Sequence, residues 1–451
     1  MSISKDTAAS ANEASIYDDL HAVREELDKC MKCGNCMAVC PVYITDKVEA
    51  GVTRAKIAVA QAVLDGELAL DDPEVYSMLF NCLVCKSCMQ NCPTKVNFDR
   101  IMLALRSAMV RKNGLPWLKK MIFSTLRHPK LFDAGMKVGA ALQGIAFRGV
   151  KPQKAIAPRA PFAFAGSAMG FDSNRLMPEL TVTPLRERIP EVVKVDTPKA
   201  KVAFFTGDSL NYFYPDAGVD LIEVLTENGA EVHIPKGQSC CGVPVLVHGD
   251  IETVRELARR NIDAIEQCGV DYIVTGCGSC GGAWTHDYRD ILVEDPLYGP
   301  KAAHWAERTF DVSTLLTKVL GFRKPTGLVD AVVTYHDSCH LKKTMKVFNE
   351  PREILRSIPG VTFKEMSQPD ACCGSGGSYV LSHFETSSAI GKRKIDDINN
   401  TGASVVSTGC PACMMQLLDN LNRFGNKQST THYISLLAES YRKEKQGKTA
   451  S

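Results

Sequence analysis

Two cysteine strings constrain this chain more than any other feature: Cys30-x-x-Cys33-x-x-Cys36-x-x-x-Cys40-Pro41 and Cys82-x-x-Cys85-x-x-Cys88-x-x-x-Cys92-Pro93. Two-residue gaps let three thiolates converge from one tight turn of backbone, so the fourth ligand must come from elsewhere. This is the spacing that holds a pair of [4Fe-4S] clusters, the last cysteine of each string ligating the cluster of the other. On that rule Cys30, Cys33, Cys36 and Cys92 hold one cluster, and Cys82, Cys85, Cys88 and Cys40 hold the second. Pro41 and Pro93 then turn the chain away from the metal, because proline fixes φ and offers no amide donor to continue a helix. Structural zinc prefers two pairs of ligands to a three-plus-one string. Disulfide partners would be scattered rather than gathered.

A chain of 451 residues has room for about three domains. A reducing cytosol tolerates 18 cysteines when they bind metal, and nearly all of these lie in ligand-like strings. The net charge of +2 carries no nucleic-acid signal. No basic start followed by an apolar core opens the sequence, so no signal peptide is expected, and no apolar run approaches a membrane span. The expectation is a cytoplasmic protein, soluble or peripheral on the inner face of the membrane.

Residues 1–20 are polar and read as a flexible tail, and 17–29 as a short helix leading into the first string. Between the strings, 54–65 has amphipathic helical spacing, and Asp71-Asp72-Pro73-Glu74 reads as the start of a helix, 73–83, that delivers Cys82. Residues 21–110 thus resemble the helical, inserted ferredoxin-type domain that serves larger oxidoreductases as an electron-entry module. Between Asp99 and Arg159 the sole acid is Asp133 among many Arg and Lys residues, interleaved with Leu115, Trp117, Met121, Ile122, Leu126 and Phe132. These are basic amphipathic helices, suited either to an anionic membrane or to packing on protein. The Ala/Pro/Gly stretch 152–170 reads as linker, so 111–198 forms a connecting segment.

From residue 199 the chain repeats itself. The first copy, 199–325, runs from a strand at 201–207 through a helix at 217–228 to Cys240-Cys241-Gly242, then a helix at 250–267 and a strand at 271–276 ending at Cys277-x-x-Cys280. The second, 326–445, runs from a strand at 331–335 to Cys339, then Cys372-Cys373-Gly374, a helix at 382–399 and a strand at 403–408 meeting Cys410-x-x-Cys413. Strands alternating with helices predict two small α/β units with parallel sheets, the cysteines gathering where strands end. Cys339, Cys372, Cys373, Cys410 and Cys413 form one candidate site, with a zinc or ordinary cubane using four of the five as the competing reading. In the first copy Asp208 stands where the second has Cys339, leaving Cys240, Cys241, Cys277 and Cys280 with an optional carboxylate. That set suits an iron–sulfur cluster, zinc or an empty pocket. Cys268 falls outside both sets, His336 and His340 flank Cys339 as hydrogen-bond donors, and Gly374-Ser-Gly-Gly377 supplies backbone room beside the site.

Cys, then Cys-Cys-Gly, then Cys-x-x-Cys resembles the CCG domain of heterodisulfide reductase subunits and of hydroxyacid dehydrogenase iron–sulfur subunits. That resemblance implies a further [4Fe-4S] cluster, noncubane in some relatives, in the second copy. Two ferredoxin strings, a helical middle and two CCG repeats, together with residues 335–341, Cys372-Cys373-Gly374 and 409–413, resemble the iron–sulfur subunit of glycolate oxidase. D-lactate dehydrogenase homologues and one of the subunits of anaerobic glycerol-3-phosphate dehydrogenase share the plan. The resemblance implies a helical ferredoxin-like domain followed by two tandem α/β CCG repeats. It also implies an oxidoreductase subunit that transfers electrons rather than binding substrate. Its partner would be an FAD-containing subunit oxidising D-lactate or glycolate, and its electron acceptor a quinone or other carrier, with the membrane surface a further contact. The alternative implied is a heterodisulfide-reductase-like enzyme with a catalytic CCG cluster.

Overall fold

The computed structural model describes residues 16–150, 154–159, 175–377 and 379–449. Most of the expected tail, and most of the linker stretch 152–170, lie outside them. The N-terminal unit is all helical. Its centre is the pair Thr53–Leu64 and Phe98–Asn113, whose Ile57, Ala60, Val63, Ile101, Leu105 and Ala108 share one core with Leu20, Leu27 and Leu79. The helix read from Asp71-Asp72-Pro73-Glu74 runs Pro73–Phe80, with the Asp72 carboxylate accepting from the Glu74 N–H. It stops before Cys82 because Val84 and Lys86 must take positive φ, which no helix allows. Residues 17–29 are broken into a helical stretch at 16–21 and Arg24–Asp28, separated by a turn at 22–23.

Gly114, at φ 70°, and Pro116 end the long helix, and two more follow, Trp117–Leu126 and Pro129–Ala146. Much of their apolar surface is uncovered. Leu118, Met121, Ile122, Leu131, Val138, Leu142 and Ile145 are exposed, and Trp117 is 77% exposed. Three short antiparallel strands come next, β1 (Phe147–Val150), β2 (Ala155–Pro158) and β3 (Met177–Pro178). Residues 155–158, read from composition as linker, form β2 because Ala155 and Ala157 bury against Leu176 and Leu418.

The two cysteine-rich units have matching sheets. The first orders its strands β4-β6-β5-β7-β8 and the second β10-β9-β11-β12. All pairs are parallel except the edge strand β4 (Val192–Val193) on β6 (Ala230–His233). In the first unit Phe205 of β5 (Ala200–Phe205) faces Thr275 of β7 (Tyr272–Thr275). In the second, His336 of β9 (Ala331–His336) faces Thr408 of β11 (Val405–Thr408). Counting on from these partners places Asp208 opposite Cys339 in the repeat, and Cys277 and Cys280 opposite Cys410 and Cys413. Both units contribute to one continuous core, from Val202, Phe204 and Val274 to Val333, Tyr335 and Ile434. The C-terminal helix Tyr433–Lys445 seals the pair: Arg442 bridges to Asp220 (2.8 Å) and Glu223 (2.7 Å) of the first unit. Among the described residues no helix is long and apolar enough to cross a membrane.

Candidate metal centres

Each ferredoxin-type string curls by the same device. Lys32 and Gly34 flank Cys33 with φ of 55° and 85°, and Val84 and Lys86 flank Cys85 with φ of 51° and 61°. Glycine adopts this conformation freely. A β-branched valine there is strained, and such strain persists where the surroundings over-determine it. Lys86 is held by a buried ion pair to Asp99 at 2.9 Å. The third cysteine of each string sits on a short helix, Asn35–Val39 or Ser87–Gln90, and Asn91 ties the two by donating to the Asn35 carbonyl at 2.7 Å. Cys40 is extended, and Pro41 opens a new helix, Pro41–Asp46, rather than simply ending one.

Two cavities result. One is walled by Cys30, Cys33, Cys36 and Cys92 and the other by Cys40, Cys82, Cys85 and Cys88, with Cys88 also touching the first. Four sulfurs converge on each cavity, a donor set that fits an iron–sulfur cube. The first cavity reaches the surface, where Cys33 is exposed. The second is deeper: burial, together with Cys82 and Cys85, pushes the Cys40 thiol up to about 11. Crowded thiols of this kind resist ionisation until a cation compensates them.

That second cavity is ringed by buried cations. Lys56, 1% exposed, donates to the Gly51 carbonyl, and its field meets Cys82, Cys40 and Cys88; burial lowers its pKa against their pull. Arg106 donates to the carbonyls of Val247 (2.6 Å), Leu79 (2.7 Å) and Cys82 (2.9 Å). Lys343, from the second cysteine-rich unit, donates to Ser87 Oγ. Burial works against its charge, yet Cys85, Cys339 and Cys372 hold its pKa above the usual lysine value. Periodicity could not have revealed this ring, because its members come from separate segments of the chain.

In the second unit Cys373, Cys410 and Cys413 are buried and Cys339 and Cys372 half-buried, all beyond the C-terminal ends of β9 and β11 or in the loop facing them. His336, Cys373 and Cys413 bring ligand atoms within 4.8 Å of one another, and hydrogen bonds with Cys372, Cys413 and His336 help to hold the Cys373 thiol low. Burial pushes the Cys339 thiol up to about 12. The glycines after Cys373 give backbone room: a Cβ on Gly374, at φ 87°, would lie 2.4 Å from the Ser387 carbonyl. In the first unit Cys240, Cys241, Cys277 and Cys280 are buried together. Asp208 lies beside them, its carboxyl raised to about 6 by burial, with a hydrogen bond to Cys240 opposing. Cys268 stands apart, donating to the Ala264 carbonyl at 3.3 Å.

The two units press these sites against each other. Cys277 Sγ and Cys410 Sγ are 3.9 Å apart, and Gly278 N–H donates to the Gly409 carbonyl at 3.1 Å. His340 lies beside them, 3.8 Å from Cys339, its imidazole kept neutral by burial that lowers its pKa to about 4. Donor sets of thiols with a carboxylate or imidazole suit iron–sulfur chemistry and, in the first unit, zinc as well.

Residues 26–96 match the 4Fe-4S dicluster domain family, and residues 202–284 and 333–418 each match the cysteine-rich domain family. The chain is 30% identical over 436 residues to the probable glycolate oxidase iron-sulfur subunit of Bacillus subtilis, an alignment covering 92% of this chain and 94% of that one. It is 38% identical over 228 residues to a fumarate reductase (CoM/CoB) subunit of Methanothermobacter marburgensis, covering 51% and 44% of the two chains. Lactate utilization protein A 2 of Bacillus cereus is 29% identical over 239 residues, covering 53% and 98%.

Proposed function

This chain belongs to the family of iron–sulfur subunits that includes the glycolate oxidase subunit, and on that premise we propose that it carries electrons, one at a time, between an FAD-containing 2-hydroxyacid dehydrogenase and a quinone or other carrier. The dehydrogenase substrate is D-lactate or glycolate. In this reading Cys30, Cys33, Cys36 and Cys92 hold one [4Fe-4S] cluster, Cys82, Cys85, Cys88 and Cys40 a second, and Cys339, Cys372, Cys373, Cys410 and Cys413 a third, of cubane or noncubane form. Cys240, Cys241, Cys277 and Cys280, with Asp208, complete a fourth site for a cluster or zinc. Bound there, such clusters accept and release single electrons.

The observation that carries the proposal is the succession of thiol sites through the fold. It starts at exposed Cys33, passes through Cys88, which lines both ferredoxin-type cavities, crosses to the second cysteine-rich unit where Lys343 donates to Ser87, and ends where Cys277 meets Cys410 at 3.9 Å. The chain's own work is to exclude water, fix ligand geometry and place cations between sites. Anaerobic affinity purification from the native source tests it: a yellow, FAD-containing subunit should co-purify and reduce the chain's clusters when given hydroxyacid. A chain that purifies alone and oxidises reduced viologen with a disulfide would replace this reading with catalysis at the abutting cysteine-rich sites.

Peripheral attachment to an anionic membrane belongs to the same proposal. Trp117, Ile122, Leu131 and Ile145 are exposed on helices that also expose Lys120 and Lys130, the composition of a surface that rests in a lipid interface. The protein should sediment with vesicles rich in anionic lipid at moderate salt, and Trp117→Ser with Ile145→Ser should cut that binding severalfold. Failure to sediment removes the membrane contact.

A further inference from the structure

A cavity of about 230 Å³ opens beside the first cysteine-rich site, between the helix Pro129–Ala146, the turn Leu185–Arg188 and the residues following β5. Asp208 and Cys240 form part of its wall. Its charges are unevenly matched. The other wall carboxylates, Asp133 and Glu187, are both engaged by Lys137, at 2.8 Å for Asp133, and Asp133 also accepts from the Tyr212 hydroxyl at 3.0 Å. The wall cations Lys130, Arg186 and Lys236 form no ion pair within 4.0 Å among the described residues, and of the three only Arg186 lies close enough to the wall carboxyl of Asp208 for its charge to oppose the burial of that group. Arg186 donates from Nη1 to the Gln238 carbonyl at 2.6 Å, which fixes its guanidinium at the cavity. A further donor is unmatched: Nδ2 of Asn211, a wall residue only 1% exposed, has no acceptor.

Unmatched cations around a cavity favour an anion. Charge-assisted hydrogen bonds are roughly twice as strong as neutral ones, and a guanidinium presents a planar fork that fits carboxylate and phosphate oxygens. The volume lies below the roughly 300 Å³ at which pockets for drug-sized ligands begin, so a nucleotide or a prenylated ring is too large. We propose that this cavity binds a small oxyanion, an organic carboxylate or inorganic phosphate, gripped by Arg186, Lys130 and Lys236 with its other end toward Asp208 and Cys240. The site goes beyond the electron-transfer reading and does not depend on the flavoprotein partner.

The test is anaerobic equilibrium dialysis of the full-length holoprotein against radiolabelled glycolate, pyruvate and inorganic phosphate, with glycolamide as the neutral control. One saturable site per chain is expected for at least one anion and none for glycolamide. Which anion binds separates the carboxylate source from phosphate. Affinity should fall at least about tenfold in Arg186→Gln and in the double variant Lys130→Gln/Lys236→Gln, whose exposed side chains leave the fold untouched. Absence of saturable binding by every anion, or unchanged affinity in the double lysine variant, overturns the assignment.

Discussion

Replacing Cys40 by alanine should strip about four irons from each chain, and they should come from the site walled by Cys82, Cys85 and Cys88 rather than from that of the neighbouring string. The exchange of fourth ligands makes this a sharp expectation, because Cys40 is four residues from Cys36 in sequence yet lines the other cavity. Double variants make the readout unambiguous. If Cys40 and Cys85 serve one cluster, Cys40→Ala/Cys85→Ala loses no more iron than either single change, whereas Cys40→Ala/Cys33→Ala loses the irons of both cavities, about eight. Iron and acid-labile sulfide analysis on anaerobic preparations decides it, and the opposite pairing of losses would mean that each string keeps its own fourth ligand. Stability should fall as well. Metal-site binding energy is folding energy, and without its cluster the deeper cavity brings together four thiols and the buried Lys56 ammonium.

The second large effect is on reduction potential. Lys56→Met should lower the midpoint of the Cys40, Cys82, Cys85 and Cys88 cluster by on the order of 100–200 mV, the scale of one charge acting across roughly 4–8 Å at an effective dielectric near 20. The sign follows from charge: reduction adds an electron to the cluster, a nearby ammonium stabilises that state, and its removal makes reduction harder. Lys56 faces Cys82, Cys40 and Cys88, and of these only Cys88 also touches the exposed site, so the other midpoint should move much less. Lys343→Met should lower both the deeper cluster and the second cysteine-rich site, since its field meets Cys85 on one side and Cys339 and Cys372 on the other. Potentiometric titration followed by electron paramagnetic resonance measures these shifts. An unmoved deeper midpoint in Lys56→Met would mean that solvent, not the buried cations, sets its potential.

The features legible in the sequence are those whose physics is local. Asp72-Pro73 marks a helix start because capping and the fixed φ of proline act within one turn. The repeat of strand, Cys-Cys-Gly and Cys-x-x-Cys is visible because each unit builds its own sheet, and register places Asp208 at the position of Cys339, in agreement with alignment of the two copies. The misreadings have separate causes. The helix expected to reach Cys82 ends at Phe80 because the string imposes positive φ beyond it, and residues 155–158 fold as a strand because a distant residue, Leu418, buries their alanines. In the second case a neighbour in space overrode local preference, and in the first the backbone the adjoining string requires did so.

Cysteine spacing by itself pointed to sulfur ligands gathering in this chain, since two-residue gaps let three thiols from one turn converge. Tertiary structure alone decided how those sets face one another: Cys277 against Cys410, Lys343 between Cys85 and Cys339, and Lys56 and Arg106 beneath Cys82. The curl that brings the first three thiols of each ferredoxin-type string together is encoded within one short stretch of backbone. Distances between sites, and the charges set between them, arise from packing contacts hundreds of residues apart, where no periodicity in the chain can register them.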